Sequence, residues 1–419
     1  MIKSFDSKNI LITYFLGIFI FGALNKIFTA QNSSYFDEIF ILITVPFALY
    51  FLIRNIFNFK LAIIFLILHI AVYLISSLQT IYDGRITTQL TLLSLFLEFK
   101  YFLLFLFLAL SIQKSKISFE SLHKALSNLF IYLTILNVPF VFFDILISDY
   151  SILGFPLQSN NFLNINAAQG LFVHKFYLAL CSVLSVIFCC INYLVTNSKK
   201  YLTLFLLSLL ILFLSYSLKE LAIGFFCLAL IIYQKLRNHR IFSLIIFVAT
   251  ILIIPLSLIF FLGERSYYFT DITVRGLFYS SSVDIANNYF PFGAGTGKFG
   301  STVASDYAYS ELYFQYGIAY IYGGTTTFGQ YLTDVGYAKY LGESGWIGIA
   351  FLLFAFLTPI FSAYEKSHLF SLKFLTILLL GLLIITNNFA STIQNSDFGS
   401  MLVALYFAIY SSTFQPHEK

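Results

Sequence analysis

Apolar stretches of nearly membrane-spanning length recur along almost the whole chain, and that recurrence constrains the fold more than any other feature. A bilayer core of roughly 30 Å needs about 20 apolar residues per helix. Such segments fall near 10–29, 39–53, 61–80, 88–112, 126–147, 169–196, 201–216, 219–235, 241–262, 343–363, 369–388 and 398–413. The pattern predicts an all-α, polytopic transmembrane protein of about 12 spans. Composition agrees: 59% of the 419 residues are hydrophobic and 10% charged, against roughly 25% charged in soluble domains. The first run is long and no small-residue cleavage site follows it, so it reads as a first span rather than a signal peptide. Cys181, Cys189, Cys190 and Cys227 lie inside apolar runs without metal or disulfide spacing, which reads as helix packing.

Basic residues set an orientation. With the amino terminus placed in the cytoplasm, roughly fifteen Lys and Arg fall on inside loops and about seven outside. Both termini are then cytoplasmic. The +5 net charge is thus sorted by side of the membrane and gives no reason to expect nucleic acid. Three regions follow: 1–262 with nine spans, a long external loop at 263–342, and 343–419 with three spans and the carboxyl terminus. The segments 201–216 and 219–235 are separated only by a very short break; they are either full spans in a tight hairpin or half-helices meeting at a polar site. No internal repeat is visible, which argues against a transporter built from duplicated halves.

A loop as long as 263–342 is uncommon without a function. It contains Arg265, Arg275, the run Pro291-Phe292-Gly293-Ala294-Gly295-Thr296-Gly297-Lys298-Phe299, and Asp334, and leads into Glu343-Ser344-Gly345-Trp346-Ile347-Gly348. The glycine run follows no strand, which excludes a dinucleotide fold. It is either a turn returning the chain to the membrane or a place where Gly293 and Gly295 let backbone approach a phosphate or sugar. Arg265 and Arg275 either anchor at headgroups or form a guanidinium fork for a diphosphate. Asp334 is a solvated loop acid or a general base. Glu343 stands where a span is expected to begin, stabilised by the helix dipole or facing substrate. Tyr307, Tyr309, Tyr313, Tyr316, Tyr320 and Tyr322 either stack on sugars or form an interfacial belt.

Charges inside or beside the spans add to this set. Glu98 and Lys100 are two apart in the fourth span and so do not form a local pair. His174 and Lys175 open the sixth span, and Lys219 and Glu220 mark the break between the seventh and eighth. Snorkelling explains each cation singly; together they suggest a shared anionic site. No Asp-x-Asp metal motif occurs in the long loop, and no bound cofactor is expected.

The layout resembles bacterial O-antigen polymerases and the related O-antigen ligases. Arg275, Pro291 with Gly293 and Gly295, Asp334, and Glu343-Ser344-Gly345-Trp346-Ile347-Gly348 follow in the order of the family's Arg, Pro-x-x-Gly-x-Gly, His or Asp, and Glu-x-Gly-x-x-Gly, although the turn here is one residue tighter. Gly170-Leu171-Phe172-Val173-His174 is similar to the family's Gly-x-x-x-His segment. Two departures stand out. Ligases place His where this chain has Asp334, and a frequent Ser-Arg pair is replaced by Ser217-Leu218-Lys219. The resemblance implies a GT-C-like enzyme of the bacterial inner membrane. It would join glycan from undecaprenyl diphosphate to another lipid-linked repeat, with membrane lipid and a chain-length regulator as partners. It also implies diphosphate contacts by Arg275, Arg265, Lys219, His174, Lys175 and Lys100, and base catalysis by Asp334. A ligase, or a flippase for lipid-linked sugars, is the alternative.

Overall fold

The computed structural model describes residue 12 and residues 61–84, 86–114, 117–146, 157–160, 165–172, 175–236, 273–327, 329, 331–333, 336–366, 370–389 and 397–412. The expected spans at 39–53 and 241–262, nearly all of 10–29, and the residues Arg265, His174 and Asp334 lie outside the described residues, as does the Lys219 side chain.

The described helices are α1 (Leu61–Asp83), α2 (Thr88–Lys114), α3 (Phe119–Leu146), α4 (Lys175–Thr196), α5 (Lys199–Leu214), α6 (Leu218–Leu236), α7 (Val274–Asn288), the one-turn α8 (Glu311–Gln315), α9 (Gly336–Lys366), α10 (Phe370–Phe389) and α11 (Asp397–Ser412). All but α7 and α8 coincide with strongly apolar runs, close to the expected bounds. Five helical stretches among the described residues are long and apolar enough to cross a bilayer: Leu61–Asp83, Thr88–Gln113, Phe119–Leu146, Lys175–Thr196 and Gly336–Ala363. This is a helical membrane protein.

Local chemistry ends these helices. Gly84, at φ 66°, closes α1 in the left-handed conformation, where the missing Cβ removes the steric penalty. Asn197, at φ 53°, closes α4, and its N–H reaches Tyr193 O at 2.7 Å. Between α5 and α6 only Ser215, Tyr216 and Ser217 intervene. A Cβ on Gly224 of α6 would meet Leu209 and Leu212 of α5 at 2.8 and 3.1 Å. The pair is therefore a tight hairpin of helices in contact.

Packing follows from polarity. In α4 every residue from Leu178 to Ile191 is buried, as expected for a helix apolar all round. It sits against α3, α5, α6 and α10, and all four cysteines are free and buried. By contrast, α1 leaves Leu68, Leu74, Ile75 and Leu78 exposed on one side and packs its other side along α9.

The described fold is all-helical as expected, apart from one short ribbon in which strands β1 (Gln158–Asn160) and β2 (Ile165–Ala167) pair antiparallel. The chain after β2 is docked by α3, because the Asp144 carboxylate accepts the N–H groups of Gln169 and Gly170 at 2.9 and 2.7 Å. One expectation is corrected: the segment expected as a long loop is folded over its described part. Helix α7, a π-helical turn at Val303–Tyr307, α8 and a 3-10 turn at Ile318–Tyr320 enclose a small core of their own. Phe278, Phe299 and Tyr313 form its centre, with Phe278 and Phe299 ring centroids 4.6 Å apart. We call this unit, residues 273–333, the cap.

Candidate functional site at the junction of cap and membrane helices

The cap is fastened to the membrane helices by its glycine turn. Helix α9 begins at Gly336, so Glu343 lies two turns inside it rather than at its start. The helix breaks at Gly345, whose φ of 64° and ψ of −169° are non-helical. Carbonyls just before the break are released to other partners: Gly342 O accepts from Ala294 N at 2.8 Å, and Glu343 O from Gly295 N at 3.2 Å. The approach is so close that a Cβ on Gly293 would lie 2.6 Å from Gly342 O and from Gly345 N. A Cβ on Gly295 would lie 2.2 Å from Thr80 Oγ1. These glycines therefore admit the chain's own backbone.

The Glu343 side chain completes the clasp. It is fully buried, and its Oε1 accepts from Gly297 N at 2.8 Å and Phe299 N at 3.2 Å. Its Oε2 lies 3.5 Å from the Tyr73 hydroxyl, the outer limit for such a bond. Two backbone N–H groups thus converge on one carboxylate oxygen and tie the turn to α9. Thus the dipole reading of Glu343 is replaced: it binds the turn.

Helix α1 supplies a polar stripe to the same junction. His69, Tyr73, Ser76, Ser77 and Thr80 recur at helical spacing and are all buried. His69 Nδ1 lies 2.7 Å from Gly348 O, and Ser76 donates to Glu343 O at 2.7 Å. Ser77 donates to Thr296 Oγ1 at 3.0 Å and Thr80 to Thr296 O at 3.2 Å. Lys298, expected as an external cation, forms a 2.7 Å ion pair with Asp83 at the end of α1.

Glu98 and Lys100 do not pair with each other. Glu98 of α2 instead forms a buried ion pair with Lys339 of α9. Lys339 stands one turn before Glu343 and acts electrostatically on both carboxylates. Lys100 is buried on α2.

Arg275 occupies a second part of the cap. It lies in the first turn of α7, which Thr273 caps by accepting the Gly276 N–H at 3.2 Å. The guanidinium sits over the Tyr331 ring, 5.9 Å from its centroid, a cation–π distance. It also acts on the Tyr279 hydroxyl, whose pKa burial and nearby Tyr337 push up to about 12 while Arg275 opposes the shift. Tyr331 and Tyr337 are the residues three before and three after position 334. Lys175 begins α4, beyond the docked segment after β2.

The structure therefore joins Gly293, Gly295 and Glu343 in one junction with Tyr73, Glu98 and Lys339, and places Arg275 in an aromatic setting on the cap. The sequence reading missed the Glu98–Lys339 pair and the stripe on α1. The stripe was detectable as polar residues spaced three and four apart in an apolar helix. Among the described residues no group of three or more His, Cys, Asp or Glu is arranged to hold a metal. No protein-family model matches this chain, and no characterised relative is found by sequence similarity.

Proposed function

We propose that this chain is a membrane glycosyltransferase that polymerises lipid-linked oligosaccharides at the outer face of a bacterial inner membrane. Its donor and acceptor are undecaprenyl-diphosphate-linked repeats, and a chain-length regulator is its partner. On this reading the chain crosses the bilayer about twelve times in a GT-C-like arrangement, with both termini in the cytoplasm. The observation that carries the reading is the setting of Arg275. A half-buried guanidinium lies over Tyr331 and acts on Tyr279 on a folded cap that is clasped to membrane helices. That combination suits a ligand with a diphosphate at the membrane surface and sugars above it.

In the proposed reaction a sugar hydroxyl oxygen attacks the anomeric carbon of the donor glycan, and the carbon–oxygen bond to the diphosphate breaks. The hydroxyl proton passes to Asp334 as general base. The bonding pair leaves with undecaprenyl diphosphate, whose growing charge Arg275 stabilises, with Arg265 and Lys219 as further cations. Losing one such donor typically costs about 100- to 1,000-fold in rate.

Replacing Arg275 by Ala, and by Lys, tests this in a cell that makes the polysaccharide. A polymerase defect leaves single repeats on the surface, with Lys restoring little because it lacks the bidentate fork. Accumulation of long lipid-linked chains identifies a ligase instead. Repeats stranded inside identify a lipid-linked sugar transporter, the second reading, which the buried Glu98–Lys339 pair favours because intramembrane ion pairs often line transport paths. Normal chain lengths in both variants refute the assignment.

A further inference from the structure

Four aromatic side chains stand exposed on the cap and follow one another away from Arg275. Tyr331, under the guanidinium, is 38% exposed, Tyr322 and Tyr320 are 75% each, and Phe314 is 48%. Tyr331 is seated on Gly323: a Cβ there would collide with its ring, and its N–H donates to Gly323 O at 3.0 Å. Tyr322 is the chain neighbour of that glycine. The backbone at Ile321 is extended, with φ −104° and ψ 143°. Ile321 packs against the cap core, and the tyrosines on either side of it turn outward. Phe314 of α8 then meets Tyr320 edge to face, with ring centroids 6.2 Å apart. Large rings left exposed together on a folded unit mark a binding surface.

Charge selects the ligand. Between Lys298 and Lys339 the sequence carries Asp306, Glu311 and Asp334 but no Lys, Arg or His. The two lysines that bracket this segment reach to the membrane helices, Lys298 to Asp83 and Lys339 to Glu98. A belt resting on anionic lipid gains from cations placed among its aromatics, and this segment offers none. Instead Asp306, Glu311, Gln315, Thr326 and Thr327 are exposed on it, supplying carboxylates, an amide and hydroxyls that hydrogen-bond to alcohol groups. The faces of the rings are electronegative and attract electropositive C–H groups. An uncharged sugar ring presents both complements: a face of C–H groups and an edge of hydroxyls.

We propose that Tyr331, Tyr322, Tyr320 and Phe314 form a track that binds an uncharged glycan chain and leads its sugars away from Arg275. This rests on the reading above that the ligand is a lipid-linked glycan, and adds where the chain beyond the diphosphate lies. The track moves no proton and breaks no bond; it holds the glycan.

Saturation-transfer NMR on the full-length protein in lipid nanodiscs tests this. The probe is neutral oligosaccharide released by mild acid from the surface polysaccharide of the cell that carries the gene. Its C–H protons should receive magnetisation from the wild type. Tyr320→Ala combined with Tyr322→Ala should weaken binding about tenfold, whereas Phe at both positions keeps the rings and should bind within about twofold of wild type. No binding by the wild type, or equal binding by the Ala pair, overturns the proposal. Tyr320→Cys gives a second measurement. A membrane-impermeant maleimide should label it in nanodiscs, more slowly with oligosaccharide present; labelling only after detergent replaces the lipid places this face in the bilayer and overturns the track. Arg275→Ala separates the two readings. If it abolishes polymerisation while the wild type binds no oligosaccharide, the track alone fails; if it polymerises normally while the wild type binds, the catalytic assignment alone fails.

Discussion

Glu343 accepts hydrogen bonds from two amides 44 and 46 residues away in the chain, so its removal frees several buried groups at once. Glu343→Ala leaves those two buried amides without their acceptor and should cost about 3 kcal/mol. Glu343→Gln retains an oxygen at the same position and should keep most of the stability; thermal unfolding in detergent compares the two. Tyrosines of the cap give a second check. Burial pushes Tyr279 and Tyr309 up to about 12 each, above the ordinary value near 10. The unfolded chain therefore releases these protons first as pH rises. Their contribution is intact below about pH 10 and is lost as pH climbs towards 12, which tyrosinate absorbance and melting temperature should report together. Legibility at this scale was partial. The motifs containing Gly293, Gly295 and Glu343 stand out in the sequence, but their mutual contact does not, because nothing local links positions so far apart.

Helices are the scale at which the chain is most readable. A run such as Leu61–Asp83 is largely apolar and ends in Asp-Gly, so its span and stop follow from hydrophobic run length and the left-handed glycine. The cap was not readable in this way, because its elements are short, and its longest helix (α7) is polar enough to pass for loop. Its stability depends on Phe278, Phe299 and Tyr313 meeting in one small core, with the Tyr313 hydroxyl accepting the Gly300 N–H at 2.9 Å. Phe278→Ala should cost about 3–5 kcal/mol. Limited proteolysis should then cut within residues 273–333 while the helices around α4 stay protected.

Across the whole molecule the helices and the cap are joined through α1 and α9, which pack along each other and share the glycine turn. The central placement of α4 makes a simple prediction. Its cysteines and Cys227 of α6 are all buried, so a thiol-reactive maleimide should label none of the four in the folded protein and all of them after denaturation. Labelling of the native protein would mean that α4 faces an aqueous path.

The sequence alone determined the solvent of this protein, the approximate bounds of its helices and the position of its polar exception, because hydrophobic run length and glycine conformation act over a few residues. Tertiary structure decided what the polar groups do. Glu98 pairs with a lysine 241 residues away, and the glycine turn accommodates the chain's own helix break, because burying charges and backbone donors forces each to find a partner wherever the fold brings one.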